Sequence, residues 1–292
     1  MGDIIQVIVN GFMLGGVYSL VALGLTVCFG VLNVLNVAHG EFVMLGAFCA
    51  YIAYKLLGLN PFLSMVVISV VFFGVGYLFE KYFIEPISDR SFHEMLIAAT
   101  LVTFGIALAL EDITAFVWGG AEAGISYELP SLSIGSLHIS SLRLVSLVGI
   151  ILLTVLFQIF LKKSYIGKAL RAITLNRKGA MVVGINIKSI SRVTSGVGIS
   201  LAAIAGVIYA TLYTVDPFIG LPLTVKVLAV IVLGGVGSFS GALVGGLLLG
   251  ITECLVGQWF GLEWSPAVAF LLLIVILIFR PEGLFGRTQL AR

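Results

Sequence analysis

Two stretches of this chain concentrate the side chains that could do chemistry. In the first, Asn33-Val34-Leu35-Asn36-Val37-Ala38-His39-Gly40-Glu41, two amides, an imidazole and a carboxylate interrupt apolar sequence. An uncompensated charge inside a bilayer costs about 2.5–3.5 kcal/mol on insertion scales, so Glu41 must face protein or water. Two readings fit: a polar constriction on a translocation path, or a turn in which Asn caps the next helix and Glu41 occupies its first turn. The second stretch runs from Lys162 to Arg192 and holds half of the chain's 16 Lys and Arg without one Asp or Glu. Cations this close to a span resist translocation, so the loop 162–192 is expected on the cytoplasmic side, presenting a surface there. Its Ile166, Ala169, Leu170 and Ile173 have helical spacing, with Lys168 and Arg171 on the other face. Such a helix can fill a groove on a partner or lie on anionic lipid.

Catalytic constellations are missing from the sequence. No HExxH, GxSxG or CxxC occurs, and Gly167-Lys168 is followed by Ala169, with Lys162 where a phosphate-binding loop would place its first glycine. ATP is therefore not expected to bind by that route, and energy must come from a partner or an ion gradient. Cys28, Cys49 and Cys254 lie in apolar segments without metal-ligand spacing and read as small buried hydrophobes. Glu111-Asp112, Asp216, Lys226 and Glu253 are the other charges in or near spans. Glu111 and Asp112 suit an outer rim, Lys226 can snorkel to the outer interface, and none of these charges makes a pair that reads as a proton relay.

The elements that must position these groups are membrane helices. The chain is 60% hydrophobic and 10% charged, with a mean hydropathy of +1.18, against about 25% charged in soluble domains. Its apolar runs are long and continuous, which argues for helices over a barrel. Spans are expected at 4–31, 40–58, 61–82, 94–117, 142–162, 193–214, 224–256 and 266–280. The fold class is an all-α polytopic bundle of about eight spans in a single domain, 1–292. No cleavable signal peptide is expected, the first span serving for insertion. The segment from Trp118 to Ser141 lacks Lys and Arg and is placed outside; the loop 81–93 and the tail with Arg280, Arg287 and Arg292 fall inside.

Parity then requires 224–256 to enter and return. Gly234-Gly235-Val236-Gly237-Ser238-Phe239-Ser240-Gly241 divides it, either as half-helices meeting near membrane depth or as a simple hairpin. Gly237, Gly241 and Gly245 repeat every fourth residue, as do Gly246 and Gly250, and Gly11 and Gly15. That spacing serves close helix packing or a gating hinge.

Several motifs carry a resemblance. The run from Gly167 to Asn186, with Arg171-Ala172, Asn176, Ala180 and Gly184-Ile185-Asn186 in step, resembles the cytoplasmic signature of ABC-importer permeases for branched-chain amino acids. Gly16-Val17-Tyr18-Ser19-Leu20, Gly24-Leu25-Thr26, Asn36-Val37-Ala38-His39-Gly40-Glu41, Leu45-Gly46-Ala47, Gly234-Gly235-Val236-Gly237-Ser238 and Arg280-Pro281-Glu282-Gly283-Leu284-Phe285-Gly286 follow in the expected order, so the resemblance covers nearly the whole chain.

The resemblance implies a permease in the bacterial inner membrane, among lipid. It implies a second homologous permease, two cytoplasmic ATPases and a periplasmic substrate-binding protein. The chain itself would need no cofactor, ATP being bound by the ATPases, and nucleic acid is not an expected partner. Gly167, Lys168, Arg171, Ala172, Asn176, Ala180 and Gly184 would form the ATPase-coupling segment. Asn33, Asn36, His39, Glu41, Gly235, Gly237 and Ser238 would flank the translocation path. The cargo would be leucine, isoleucine or valine. Urea or a short amide remains an alternative within the family, and an ion-coupled secondary transporter an alternative outside it.

Overall fold

A computed structural model describes residues 2–32, 34–127, 132–134, 137–139 and 141–286. Among them, seven helices are long and apolar enough to cross a membrane, joined by two shorter apolar helices. They form a polytopic α-helical bundle.

The chain opens with α1 (Gly2–Leu32), follows with α2 (His39–Leu57) and turns at Gly58, whose left-handed φ of 61° ends α2. Pro61 then starts α3 (Pro61–Phe79), with Asn60 capping the Phe62 amide. A π turn at Glu80–Ile84 and a 3-10 turn at Glu85–Ile87 extend α3, so this span is longer than the 61–82 read from sequence. Ser91 and Glu94 make a capping box for α4 (Phe92–Trp118).

An antiparallel ribbon of two three-residue strands, β1 (Leu132–Ile134) and β2 (Leu137–Ile139), precedes α5 (Ser141–Lys163). The basic loop folds as α6 (Tyr165–Leu175) and α7 (Arg177–Val182) and then enters α8 (Ile187–Leu212), each capped by the Ser or Asn before it. The hairpin α9 (Gly220–Gly234) and α10 (Phe239–Phe260) comes next, and α11 (Ser265–Phe279) completes the bundle.

The core is a tightly packed group of α1, α2, α8 and α10 under a glycine code. Gly11 and Gly15 of α1 lie on Gly250 and Gly246 of α10: a Cβ at Gly15 would stand 2.7 Å from the Leu247 Cα, and one at Gly11 2.6 Å from the Ile251 Cα. The two fourfold spacings seen in the sequence therefore meet each other, and they work here as packing surfaces.

Antiparallel contact with α1 carries the start of α10 toward the end of α1, where the Gly30 carbonyl accepts from Thr174 of the basic segment at 2.9 Å. The α9–α10 turn thus shares one face of the bundle with the basic segment, hereafter the basic face. The Gly/Ser break is the turn of a hairpin, and α9 and α10 pack against each other from Gly234–Gly241 to Val230–Gly245.

Candidate functional site

Residues 34–38 are not helical, yet they lie deep in the bundle. His39 Nε2 is 3.2 Å from the Val21 carbonyl of α1. The Val37 amide donates to Thr103 of α4 at 3.2 Å, and Thr224 of α9 donates to the Val37 carbonyl at 3.1 Å. Val21, Thr103 and Thr224 are each ten or eleven residues from the basic-face end of their helix, which at about 1.5 Å per residue places this crossover about 15–16 Å into the bundle. Irregular backbone survives at such depth only when protein or enclosed water satisfies it. Here Thr103, Thr224 and the Asn36 side chain, which accepts from the Ala38 amide at 3.0 Å, do that.

The crossover delivers His39 and Glu41 to the first turn of α2, and both are fully buried. The Glu41 carboxylate packs against Gly220 at the start of α9, so closely that a Cβ there would strike its oxygens. Gly40 faces the Gly220 carbonyl and Thr224 in the same way. The first turns of α2 and α9 thus meet at one buried carboxylate. Among the described residues, neither Glu41 oxygen nor the His39 Nδ1 has a hydrogen-bond partner. Asn36, His39 and Glu41 are brought together; Asn33 lies outside the described residues.

Gly235, Gly237 and Ser238 stand elsewhere, in the α9–α10 turn. Gly235 (φ 95°) and Gly237 (φ 79°) make the tight turn, and Ser238 caps α10 by accepting from the Gly241 amide at 3.1 Å. The Arg280–Gly286 motif folds back on this turn: the Leu284 and Phe285 amides donate to the Leu233 and Gly234 carbonyls at 2.9 and 3.0 Å, satisfying the end of α9.

The basic segment is organised differently from a free amphipathic helix. Ala169, Leu170 and Ile173 are buried within the chain itself, so the apolar face of α6 is taken up by α1 and α5 and is closed to both partner and lipid. Gly167 allows this, since a Cβ there would collide with the Leu161 backbone. Arg171 donates to the Leu161 and Lys162 carbonyls at 2.7 and 3.3 Å, bracing α5 to α6. Asn176 caps α7 through the Gly179 amide at 2.9 Å, Ala180 is buried and Ala172 half-buried. Gly184 (φ 84°) ends α7. Exposed on the surface are Lys168, Leu175, Arg177, Lys178, Met181, Val182 and Val183.

Charges that sequence reading left isolated are paired. Lys226 does not snorkel to an interface: its Nζ donates to Glu253 at 2.6 Å and to the Tyr18 hydroxyl at 3.2 Å, and Tyr18 donates to Glu253 at 3.0 Å. Glu80, in the π turn, accepts from Ser191 at 2.5 Å. Arg192 grips Glu85 with two bonds of 2.6 and 2.7 Å, and Lys188 reaches Asp89 at 2.9 Å. The end of α3 is thereby tied to the start of α8, directly after the basic segment. Partners separated by 27 to 235 residues leave no periodic trace; only the rarity of charge in apolar runs could have marked them.

The described residues offer no group of three or more His, Cys, Asp or Glu that could hold a metal. Among the described residues, seven apolar helices long enough to cross a membrane, packed on a glycine-lined core, define a multi-pass membrane protein. The chain belongs to the family described as branched-chain amino acid transport system / permease component, whose model matches residues 7–277.

It is 32% identical over 99% of its length, and 97% of the relative's, to the high-affinity branched-chain amino acid transport system permease protein BraD of Pseudomonas aeruginosa. It is 30% identical, with the same coverage, to the corresponding permease LivH of Escherichia coli. Among solved structures, a chain of PsaBC from Streptococcus pneumoniae in complex with Fab shares the fold, with a TM-score of 0.50, 13% identity and coverage of 94% of this chain and 91% of that one.

Proposed function

We propose that this chain is a permease subunit of an ATP-driven importer for leucine, isoleucine and valine. The family match across residues 7–277, with near-complete coverage of relatives named as branched-chain amino acid transport permeases, supports the reading. In this reading the chain sits in a bacterial inner membrane with its basic face in the cytoplasm, because Lys and Arg beside spans resist translocation. Two ATPase subunits bind and hydrolyse ATP, a second homologous permease completes the membrane pair, and a periplasmic binding protein delivers substrate.

The exposed side of α6 and α7, from Lys168 to Val183, is the ATPase-docking surface, and Gly167, Arg171, Ala172, Asn176, Ala180 and Gly184 set its shape. Movement of this segment reaches α3 through Arg192–Glu85 and Ser191–Glu80, and Glu80 borders the Asn36 crossover. The crossover with His39 and Glu41 is the mid-membrane part of the path. Deleting the gene is expected to abolish high-affinity leucine uptake by cells, with restoration by the intact gene. Unchanged leucine uptake, or loss of urea uptake in its place, refutes the substrate assignment.

A further inference from the structure

One carboxylate oxygen beside the crossover lacks a partner. Glu80 is 2% exposed and sits in the π turn that extends α3, a helix irregularity found frequently at functional sites. Its Oε1 accepts from Ser191 at 2.5 Å, and Ser195, one helical turn further along α8, stands beside the same carboxylate. Its Oε2 is buried, with no hydrogen-bond partner among the described residues. The cations of the surrounding segments are engaged elsewhere: Arg192 grips Glu85 at 2.6 and 2.7 Å, Lys188 reaches Asp89 at 2.9 Å, and Lys81 lies over the Tyr82 ring.

Glu80 lines a cavity of about 10 Å³ together with Asn36 of the crossover, Thr103 of α4 and Ser195 of α8, against apolar Phe79 and Ile84. Each of the four polar residues is buried and keeps capacity to bind. Asn36 Oδ1 accepts from the Ala38 amide at 3.0 Å, and Thr103 accepts from the Val37 amide at 3.2 Å while donating to the Thr100 carbonyl. Amide and hydroxyl oxygens carry two lone pairs each, so one remains on Asn36 and one on Thr103, and Ser195 adds a second hydroxyl oxygen.

A carboxylate, an amide oxygen and two hydroxyls around so small a space select their ligand. Oxygen donors bind hard cations, and Mg²⁺ would keep several waters for which there is no room. The cavity has about the space that one water needs, and its single carboxylate balances one positive charge. A water would complete Oε2 without relieving the cost of a buried, unpaired charge, which a cation removes.

We infer that this cavity is a binding site for a sodium ion, held by Glu80, Asn36, Thr103 and Ser195. The ion fastens the crossover to α3, α4 and α8 in its buried conformation. It is a resident ligand that does not have to cross the membrane, so ATP remains the energy source. The site stands whether or not the cargo is leucine.

Binding of radioactive sodium to the purified full chain in lipid nanodiscs tests this, with choline chloride holding the ionic strength constant. Saturable binding of one ion per chain is expected, displaced by unlabelled sodium and only weakly by potassium. Glu80→Gln, which keeps the shape and removes the charge, is expected to abolish it. Ser195→Ala and Thr103→Val are expected to weaken it about tenfold, the scale on which metal sites respond to loss of one supporting group, and Thr103→Ser to restore it. Glu122→Gln, at an exposed position, is expected to leave it unchanged.

Thermal unfolding separates loss of the site from misfolding. Sodium is expected to raise the wild-type midpoint by several degrees over choline chloride. Glu80→Gln, free of the unpaired charge, is expected to melt no lower than wild type in choline chloride and to gain nothing from sodium. Absence of saturable sodium binding, binding retained in Glu80→Gln, or potassium competing as well as sodium overturns the site. Equal wild-type midpoints in sodium and choline chloride mean that water alone fills the cavity, and the inference falls.

Discussion

Gly15→Ala should damage this protein, whereas Gly105→Ala should not. A Cβ on Gly15 would lie 2.7 Å from the Leu247 Cα and 2.8 Å from the Gly246 carbonyl oxygen, where ordinary contacts are about 3.5–4.0 Å. Both obstacles are backbone, so the α1 and α10 axes must separate by roughly 1 Å, and overpacking of that kind costs about 1–3 kcal/mol. A Cβ on Gly105, in the middle of α4, meets nothing within 4 Å. There the substitution retains only the helix-propensity gain of about 0.8–1.0 kcal/mol.

Both variants share that gain, so they should differ by the overpacking cost of about 1–3 kcal/mol, a sizeable share of the 5–15 kcal/mol that holds a protein folded. At about 2–4 °C per kcal/mol for chains of this size, thermal unfolding in detergent should show Gly15→Ala roughly 2–12 °C below Gly105→Ala. Coincident midpoints would refute the close approach of α1 and α10.

Removing only the cation of the buried triad, in Lys226→Met, takes the 2.6 Å ion pair from Glu253 and should cost up to about 3–5 kcal/mol, seen as a fall in folded yield; Lys226→Met with Glu253→Leu should recover much of it, and equal loss in single and double variants contradicts the pairing. Arg192→Gln should lower uptake several-fold while ATPase subunits still copurify, because the α8–α3 tie lies downstream of docking; uptake at the wild-type rate rules that route out. Val182→Cys, at an exposed position on α7, should crosslink to an ATPase subunit carrying a cysteine in its docking groove. A Val67→Cys control on the exposed side of α3 should not, and equal crosslinking of the two would remove α7 from the interface.

Helix identity was legible because apolar length alone determines it, and the hairpin was legible through parity. The glycine repeats announced close packing, although only the fold shows that Gly11 and Gly15 face Gly250 and Gly246. Depth was harder. The Gly234–Gly241 break read either as meeting half-helices or as a simple hairpin, and the fold adds what the sequence could not show, that the Arg280–Gly286 turn folds back on it. The Asn36–Glu41 crossover resembled a turn as much as a path element, and its position became apparent only through Val21, Thr103 and Thr224 on three other helices. The apolar stripe of α6 gave its periodicity correctly, but periodicity does not say whose surface covers it; Leu161 and Gly30 of the same chain do. Lys226 looked like an interfacial cation because its partner Glu253 is 27 residues away on the next helix.

The central claim is that this chain passes branched-chain amino acids only as part of an ATP-driven assembly. Uptake of labelled leucine into proteoliposomes measures it directly, with this chain alone or with its partner permease, ATPases and binding protein, each with and without ATP. Uptake that requires ATP and every partner, and that valine and isoleucine compete, is the expected result. Uptake by the isolated chain driven by a proton or sodium gradient would contradict it.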